Sequence, residues 1–243
     1  MDTADHVNFE LADGNQGKAM VFRPEGEGPF PALLVLHDIL GFNDDLARIA
    51  RRFATEGYVA MAPDFFGEGL KPICVVKAMK TLKAQRGQQV DTLAKARTWL
   101  KGQPDVDERR VGAVGFCMGG GFAVLHAEQQ ALAFVGVFYG DVPKNKADIS
   151  NFPPCFAGYG ERDQMFISQG RRLKKHLDEL GTANEFRSYE GVGHSYMNQL
   201  TGLFAHGGSL PPMRAKYDES AAEDSWDAML SFFASALGSI EDE

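Results

Sequence analysis

Residues 111–121 read VGAVGFCMGGG, and this glycine-rich stretch around a single cysteine decides the fold. The apolar run 111–116 predicts a buried strand, and residues 118–130 predict a helix that follows at once. GFCMG (115–119) fits the pattern glycine-x-nucleophile-x-glycine, in which a strained turn between strand and helix exposes the reactive side chain. Cys117 would therefore lie at a helix N-terminus, whose positive end favours a thiolate.

On both sides of this stretch, apolar strands alternate with helical patterns. After a hairpin (5–11 and 17–23), the strands are continuous apolar runs of the kind that parallel sheets bury on both faces. The predicted strands are 31–38, 58–64, 111–116, 134–140, 154–160 and 184–191, and the predicted helices are 44–57, 90–102, 118–130, 168–181 and 220–237. We predict one mostly parallel, three-layer α/β domain over residues 1–243.

Composition and charge exclude several classes of protein. The 243 residues are 44% hydrophobic and 24% charged, which is typical of a globular chain with a sizeable core. The net charge of -8 and the lack of a basic stripe argue against a nucleic-acid partner. No apolar run reaches the ~18 residues of a membrane span and no signal peptide is visible, so we expect a cytoplasmic protein with no membrane partner. Three widely spaced cysteines make neither a disulfide framework nor a zinc set.

Chemically versatile residues follow the predicted strands, at the edge of a parallel sheet where ligands bind. Cys117 follows one strand, Asp163 another, and His194, within GVGHSY (191–196), follows the last. A thiol needs a base and the base needs an orienting group, which are the roles we predict for His194 and Asp163. The chain order nucleophile, acid, histidine is that of α/β-hydrolases. Glu161 is the rival for the acid, and Asp163 could instead cap a helix.

An acyl-transfer site also needs N–H donors for the developing oxyanion. The N–H of Met118 directly follows the nucleophile, and the N–H of Ile39 lies in the loop after an early strand, where a second donor is expected. His37 and Asp38 share this loop, and His37 is a candidate for lining the site.

These motifs resemble the dienelactone hydrolase family, the cysteine-nucleophile branch of the α/β-hydrolases, from about residue 18 to 235. The stretches that carry the resemblance are HDILG (37–41), APDFFG (62–67), VGFCMGG (114–120), GYGERD (158–163) and GVGHSY (191–196). The resemblance implies a three-layer α/β-hydrolase fold with no large cap domain, a Cys117–Asp163–His194 triad and oxyanion donors at Ile39 and Met118. It also implies thiol activation by Asp38, where the family has the longer Glu; capping the next turn is the alternative for this side chain.

Two positions depart from the family in a way that bears on the substrate. The family holds its substrate carboxylate with two arginines, and this chain has Glu68 and Asn198 at the corresponding positions, while the family's hydroxyl survives as Ser195. Loss of two cations weakens the binding of an anionic lactone, because charge-assisted hydrogen bonds contribute roughly 1.5–3 kcal/mol each. We expect a small-molecule ester or lactone substrate that is more neutral than dienelactone.

Other interpretations remain open at this stage. A catalytically silent fold used for ligand binding is one, and a redox-sensing thiol that pairs with Cys155 is another. The resemblance implies no cofactor and no metal, although Cys, Asp and His could also form a zinc site. The apolar residues Met197, Leu200, Leu203 and Phe204 could form a wall of the site or belong to the core. We expect a monomer or a small homo-oligomer.

Overall fold

The structure is a computed structural model that describes residues 4–67, 71–199 and 209–241. Within these residues, one eight-stranded sheet runs through the protein in the order β1-β2-β4-β3-β5-β6-β7-β8. The strands are β1 (Asp5–Glu10), β2 (Gln16–Phe22), β3 (Phe30–Leu36), β4 (Val59–Pro63), β5 (Val106–Phe116), β6 (Val135–Phe138), β7 (Cys155–Gly160) and β8 (Asn184–Tyr189). β2 pairs antiparallel with β1 and β4, and the other pairs are parallel.

Helices cover the sheet and complete the three layers. They are α1 (Asp44–Thr55), α2 (Lys71–Ala84), α3 (Gln88–Lys101), α4 (Met118–Gln129), α5 (Ile167–Leu180) and α6 (Glu219–Glu241), with a short 3₁₀ turn at Lys146–Ile149. α1 contacts α6, where the rings of Phe53 and Trp226 lie 4.5 Å apart, while α2, α3 and α4 contact one another. No cap domain occurs in the described ranges, and the fold is that of an α/β-hydrolase.

The core lies along the central strands, as the continuous apolar runs predict. Every residue of β4 and β6 is buried, and so are the last five residues of β3. Parallel strands covered by helices on both faces have no solvent side, which explains why their sequences do not alternate. Because β3, β5 and β7 are parallel, their carboxyl ends lie at the same edge of the sheet.

The structure differs from the sequence prediction at two elements. β5 begins at Val106 rather than 111, because its first residues continue the pairing with β3 through a bulge while their side chains stay partly exposed. α2 forms where no regular element was predicted. Its buried residues (Cys74, Ala78 and Thr81) face the protein, but apolar residues also occupy its outer face, which blurs the helical pattern.

Among the residues described, we find no helix whose length and hydropathy would let it cross a bilayer.

Candidate active site

Cys117 occupies the turn between β5 and α4. Its φ of 54° and ψ of -116° lie outside the ordinary regions for a side chain with a Cβ. The turn is anchored because the N–H of Cys117 donates to the carbonyl of Phe138, at 3.0 Å. The half-buried thiol therefore lies at the N-terminus of α4, on the strained turn that the sequence predicted.

Glycines around Cys117 let β5, α4 and β3 approach closely. A Cβ at Gly115 would lie 2.0 Å from the carbonyl oxygen of Gly119. A Cβ at Gly119 would lie 2.2 Å from the carbonyl oxygen of Leu36 in β3. Since the obstructing atoms belong to the backbone and cannot swing away, no side chain fits at either position. The glycines of 111–121 thus bring the thiol next to the loop that follows β3.

Asp163, just after β7, uses its two carboxylate oxygens differently. Oδ2 accepts a hydrogen bond from Nδ1 of His194 at 2.6 Å, and both groups are buried. Oδ1 accepts the backbone N–H groups of Met165 and Phe166, each at 3.2 Å. Oδ1 thus closes the turn that leads into α5, whose N-cap residue is Phe166 rather than Asp163, and Oδ2 contacts the imidazole. The backbone bonds fix the carboxylate that contacts the imidazole.

Glu161, the rival for the acid position, points elsewhere. Its carboxylate is exposed, accepts a hydrogen bond from the hydroxyl of Ser188 at 2.9 Å and lies 3.6 Å from the guanidinium of Arg171. Of the two carboxylates, the structure brings Asp163 to the histidine.

His194 is held by a second segment of chain as well as by Asp163. Its N–H donates to the carbonyl of Met213 at 2.9 Å, and its carbonyl accepts the N–H of Lys216 at 3.0 Å. A Cβ on the preceding Gly193 would lie 2.0 Å from the carbonyl oxygen of Arg214, so the approach of this segment requires glycine. His194 is thus held through both its backbone and its imidazole ring.

The environment of His194 favours its protonated form. Burial lowers its pKa, but the Cys117 thiol and the hydrogen-bonded Asp163 carboxylate outweigh burial and raise the pKa to about 9. Nε2 is buried without a hydrogen bond of ordinary geometry among the described residues, although the Cys117 side chain lies close enough to contribute to the raised pKa. An imidazolium next to the thiol is the arrangement that stabilises a thiolate.

Two aromatic rings that the sequence analysis missed lie against His194. The ring centroids of Tyr139 and Phe166 are 4.8 Å and 4.9 Å from that of the imidazole. Tyr139 follows β6 with a φ of 41°, a strained conformation at a strand end. Its place directly after an apolar run, where ligand-site residues concentrate, is the signal that could have singled it out.

The loop after β3 presents the expected second N–H donor. Leu40 donates to Oδ1 of Asp38 at 2.7 Å and Gly41 donates to the carbonyl of Asp38 at 3.1 Å, which closes a tight turn around Ile39. The N–H groups of Ile39 and Met118 have no hydrogen-bond acceptor in the parts of the chain that the structure describes. Their role as oxyanion donors stays a prediction.

His37 and Asp38 are both buried in this loop. Nδ1 of His37 is 2.8 Å from the carbonyl oxygen of Asp38, and the His37 ring stacks on Phe65 with centroids 3.7 Å apart. Since its Oδ1 accepts the N–H of Leu40, Asp38 caps the following turn, as one interpretation expects. Its role in thiol activation stays a prediction.

Asn198 already makes two internal hydrogen bonds. Its Oδ1 accepts from the hydroxyl of Tyr139 at 2.6 Å, and its Nδ2 donates to Oδ2 of Asp45 at 2.9 Å. Ser195, next to His194, is buried with a φ of 56°. Glu68, Leu200, Leu203 and Phe204 lie outside the described residues, whereas Met197 is buried in the core.

A groove of about 380 Å³ opens beside Asp38. Its lining consists of Asp38, Leu40, Asn43, Asp44, Asp45, Arg48 and Gln199. The Arg48 guanidinium is occupied by the carboxylate of Asp45 and the carbonyl of Met197. The groove therefore presents carboxylates without a free cation among its lining residues. A larger cavity, about 510 Å³, lies between α2, α4 and α5. Neither this cavity nor the groove beside Asp38 is lined by Cys117, Asp163 or His194.

The other two cysteines are buried free thiols. Complete burial in β7 raises the pKa of Cys155, which makes it a poor nucleophile. In the described ranges, no three His, Cys, Asp or Glu side chains come together in a way that could hold a metal ion.

A cysteine on a strained strand–helix turn after β5, together with a carboxylate after β7 that is hydrogen-bonded to a histidine after β8, is the arrangement expected of an α/β-hydrolase. Residues 18–237 match the dienelactone hydrolase family, so the protein belongs to that family and is a carboxylic-ester hydrolase.

Relatives of known name agree with this assignment. A Methylorubrum extorquens protein named “Putative carboxymethylenebutenolidase” is 28% identical over 95% of this chain and 80% of its own length. Protein usf of Aquifex pyrophilus is 29% identical over 95% of this chain and 98% of its own length. The crystal structure of P91, a dienelactone hydrolase-like promiscuous phosphotriesterase from metagenomic libraries, has the same fold, with a TM-score of 0.81 at 23% identity over 96% of this chain and 98% of that one.

Proposed function

We propose that the protein is a cysteine-dependent hydrolase of ester or lactone bonds. Cys117 acts as nucleophile, His194 as acid and base, and Asp163 as the group that orients the imidazole. The observation that carries the proposal is the 2.6 Å contact between Asp163 and Nδ1 of His194, which leaves Nε2 on the side of the thiol. These are the three roles of a catalytic triad: nucleophile, general base and orienting group.

The reaction runs in two steps through a thioester. The Cys117 thiolate attacks the carbonyl carbon, and the oxyanion accepts hydrogen bonds from the N–H groups of Ile39 and Met118. Collapse of the tetrahedral intermediate breaks the bond to the leaving oxygen, which takes a proton from the His194 imidazolium. Neutral His194 then accepts a proton from water, which attacks the thioester, releases the carboxylic acid and restores the thiolate–imidazolium pair.

We assign the substrate to the groove beside Asp38, which adjoins the loop that carries Ile39, and the charge of this groove favours a neutral acyl substrate. Its carboxylates repel an anionic lactone, and its arginine is already ion-paired. Asn198, which stands where the family has an arginine, carries no charge and directs its amide to Tyr139 and Asp45. The name of the Methylorubrum relative refers to an anionic lactone, and we propose that this chain prefers uncharged esters or lactones instead.

Initial rates on p-nitrophenyl acetate and on cis-dienelactone test both parts of the proposal. We expect the wild type to hydrolyse the neutral ester with the higher kcat/KM and Cys117→Ala to be inactive on both. Cys74→Ala, which removes a buried thiol of α2, is the matched control and should keep its activity. Full activity of Cys117→Ala would contradict the thiol mechanism, and a higher kcat/KM on dienelactone would contradict the substrate preference. A folded wild type inactive on every ester tested would favour a silent binding fold.

The single-domain organisation over residues 1–243, the cytoplasmic location and the monomeric or small homo-oligomeric state stay predictions from the sequence.

A further inference from the structure

The outer face of α2 combines exposed apolar side chains with lysines. The side chains of Ile73, Val76 and Met79 are 52%, 54% and 49% exposed. Each is followed four residues later by a lysine, and residues four apart lie side by side on a helix surface. The three neighbouring pairs are Ile73 and Lys77, Val76 and Lys80, and Met79 and Lys83.

The charge of this face is opposite to that of the whole protein. Between Glu68 and Asp91 the sequence holds no carboxylate, in a chain whose net charge is -8. The five cations of this stretch are Lys71, Lys77, Lys80, Lys83 and Arg86. No ion pair or hydrogen bond joins the side chains of Lys77, Lys80, Lys83 or Arg86 to another residue that the structure describes.

The basic face of α5 is different, because carboxylates neutralise it. Lys174 pairs with Asp178 and Lys175 with Glu179, each one helical turn away, and Arg171 lies near Glu161. Cationic residues on this protein are therefore not unpaired in general. The absence of acids on α2 sets that helix apart.

The inner face of α2 holds the helix to the protein. Cys74, Ala78 and Thr81 are buried, and the Thr81 hydroxyl donates to the side-chain carbonyl of Gln89 at 2.7 Å, which ties α2 to α3. The exposed face is thus presented by an anchored helix of 14 residues, about 21 Å long at 1.5 Å per residue.

We propose that this face of α2 docks on an anionic lipid surface. Apolar side chains interleaved with lysines suit a helix that lies in the membrane interface, since the apolar groups enter the headgroup boundary while the lysine stems extend to the phosphates. A second copy of the chain is disfavoured, because a two-fold pairing of α2 would bring the lysines of both copies together. This proposal replaces the sequence-based expectation of no membrane partner and is independent of the hydrolytic activity.

Co-sedimentation with vesicles tests the proposal on the full-length chain. We expect the wild type to sediment with vesicles of phosphatidylglycerol and phosphatidylcholine, to stay in solution with phosphatidylcholine alone, and to be released by salt. Lys77→Glu/Lys80→Glu/Lys83→Glu should weaken binding at least about tenfold. Val76→Ser/Met79→Ser should weaken it several-fold at unchanged charge.

The control exchanges lysines on α5. Lys174→Glu/Lys175→Glu reverses two charges on another helix, as does Lys77→Glu/Lys80→Glu on α2, and of these two variants only the α5 one should keep its affinity for the anionic vesicles. Far-ultraviolet circular dichroism verifies that each variant is folded. The proposal is overturned if the wild type stays in solution with anionic vesicles, if the α2 and α5 lysine variants lose binding equally, or if the serine variant binds as tightly as wild type. Retention on an acidic peptide without retention on vesicles would also overturn it, in favour of a protein partner.

Discussion

Oδ2 of Asp163 lies 2.6 Å from Nδ1 of His194, while Oδ1 of the same carboxylate accepts two backbone N–H groups in the turn that leads into α5. One carboxylate thus contacts both the histidine and the backbone of this turn. Because the backbone bonds determine where the carboxylate points, the imidazole cannot turn without losing its hydrogen bond to Oδ2. The proposed mechanism depends on this contact, since it leaves Nε2 free to exchange a proton with the thiol and the leaving group.

Asp163→Asn should lower kcat by about 10³–10⁴-fold, because an amide can neither stabilise the imidazolium nor enforce the correct tautomer. The protein should remain folded, since the amide oxygen can still accept the backbone N–H groups of Met165 and Phe166. Glu161→Gln is the matched control, because its carboxylate faces Ser188 and Arg171. Rates on p-nitrophenyl acetate compare the two variants, and equal losses would rule out the assignment of the acid.

The pH dependence should differ between esters with good and poor leaving groups. The pKa of His194 is raised to about 9, so the imidazolium is present below this pH and is lost as the pH rises through it. An alkyl ester needs that proton for its leaving group, and its kcat/KM should fall above about pH 9. The p-nitrophenolate group of a p-nitrophenyl ester leaves without a proton, so the rate on this ester should fall less over the same pH range. Rates measured from pH 6 to 10, corrected with Cys117→Ala, test this, and identical profiles for both esters would contradict the role of His194 as acid.

Gly119→Ala should destabilise the protein by about 3 kcal/mol or more, because its Cβ would lie 2.2 Å from a backbone carbonyl oxygen of β3. Gly121→Ala, on the same helix, places its Cβ 3.4 Å from its nearest neighbours and should change stability by less than about 1 kcal/mol. Urea unfolding of both variants measures the difference. If the two alanines proved equally tolerated, the close approach of α4 to β3 would be wrong.

Acid should destabilise the protein through His126 of α4. Burial, together with the charge of Arg97, lowers the pKa of His126 from 6.5 to about 3. Between these two pH values the imidazole is protonated in the unfolded chain but stays neutral in the folded protein. The free energy of unfolding should therefore fall by up to about 1.4 kcal/mol per pH unit as the pH drops below about 6.5.

His126→Leu should flatten this slope of stability against pH. His6→Gln removes an exposed histidine of β1 and serves as the control, which should keep the slope of the wild type. Urea unfolding at several pH values between 4 and 7 makes the comparison. A slope that persists unchanged in His126→Leu would assign the acid sensitivity to other groups.

The sheet and the strand-end residues could be predicted because each depends on local patterns. Continuous apolar runs indicate the parallel strands, and a glycine-framed cysteine followed by an acid and a histidine indicates the candidate site. α2 escaped prediction for a physical reason: Ile73, Val76 and Met79 are apolar but exposed, so burial and hydropathy disagree along the helix. A pattern that assumes apolar residues face inward fails on such a surface.

Contacts between distant segments could not be predicted either. The hydrogen bonds from Tyr139 through Asn198 to Asp45 join three segments that are far apart in the sequence. Nothing local to Asn198 shows that both ends of its amide are used internally. The anchoring of His194 by Met213 and Lys216 is likewise a consequence of the tertiary fold.

The central claim is that the Cys117 thiol carries the acyl group during turnover. Acid quenching during turnover of p-nitrophenyl acetate, followed by intact-mass and peptide analysis, measures this directly. The account predicts an increase by the mass of one acetyl group, located on the peptide that contains Cys117 and absent in Cys117→Ser/His194→Ala. Turnover with no acetyl group on Cys117 would contradict it. So would an acetyl group on another side chain, if Cys117→Ala still carried that group and kept full activity.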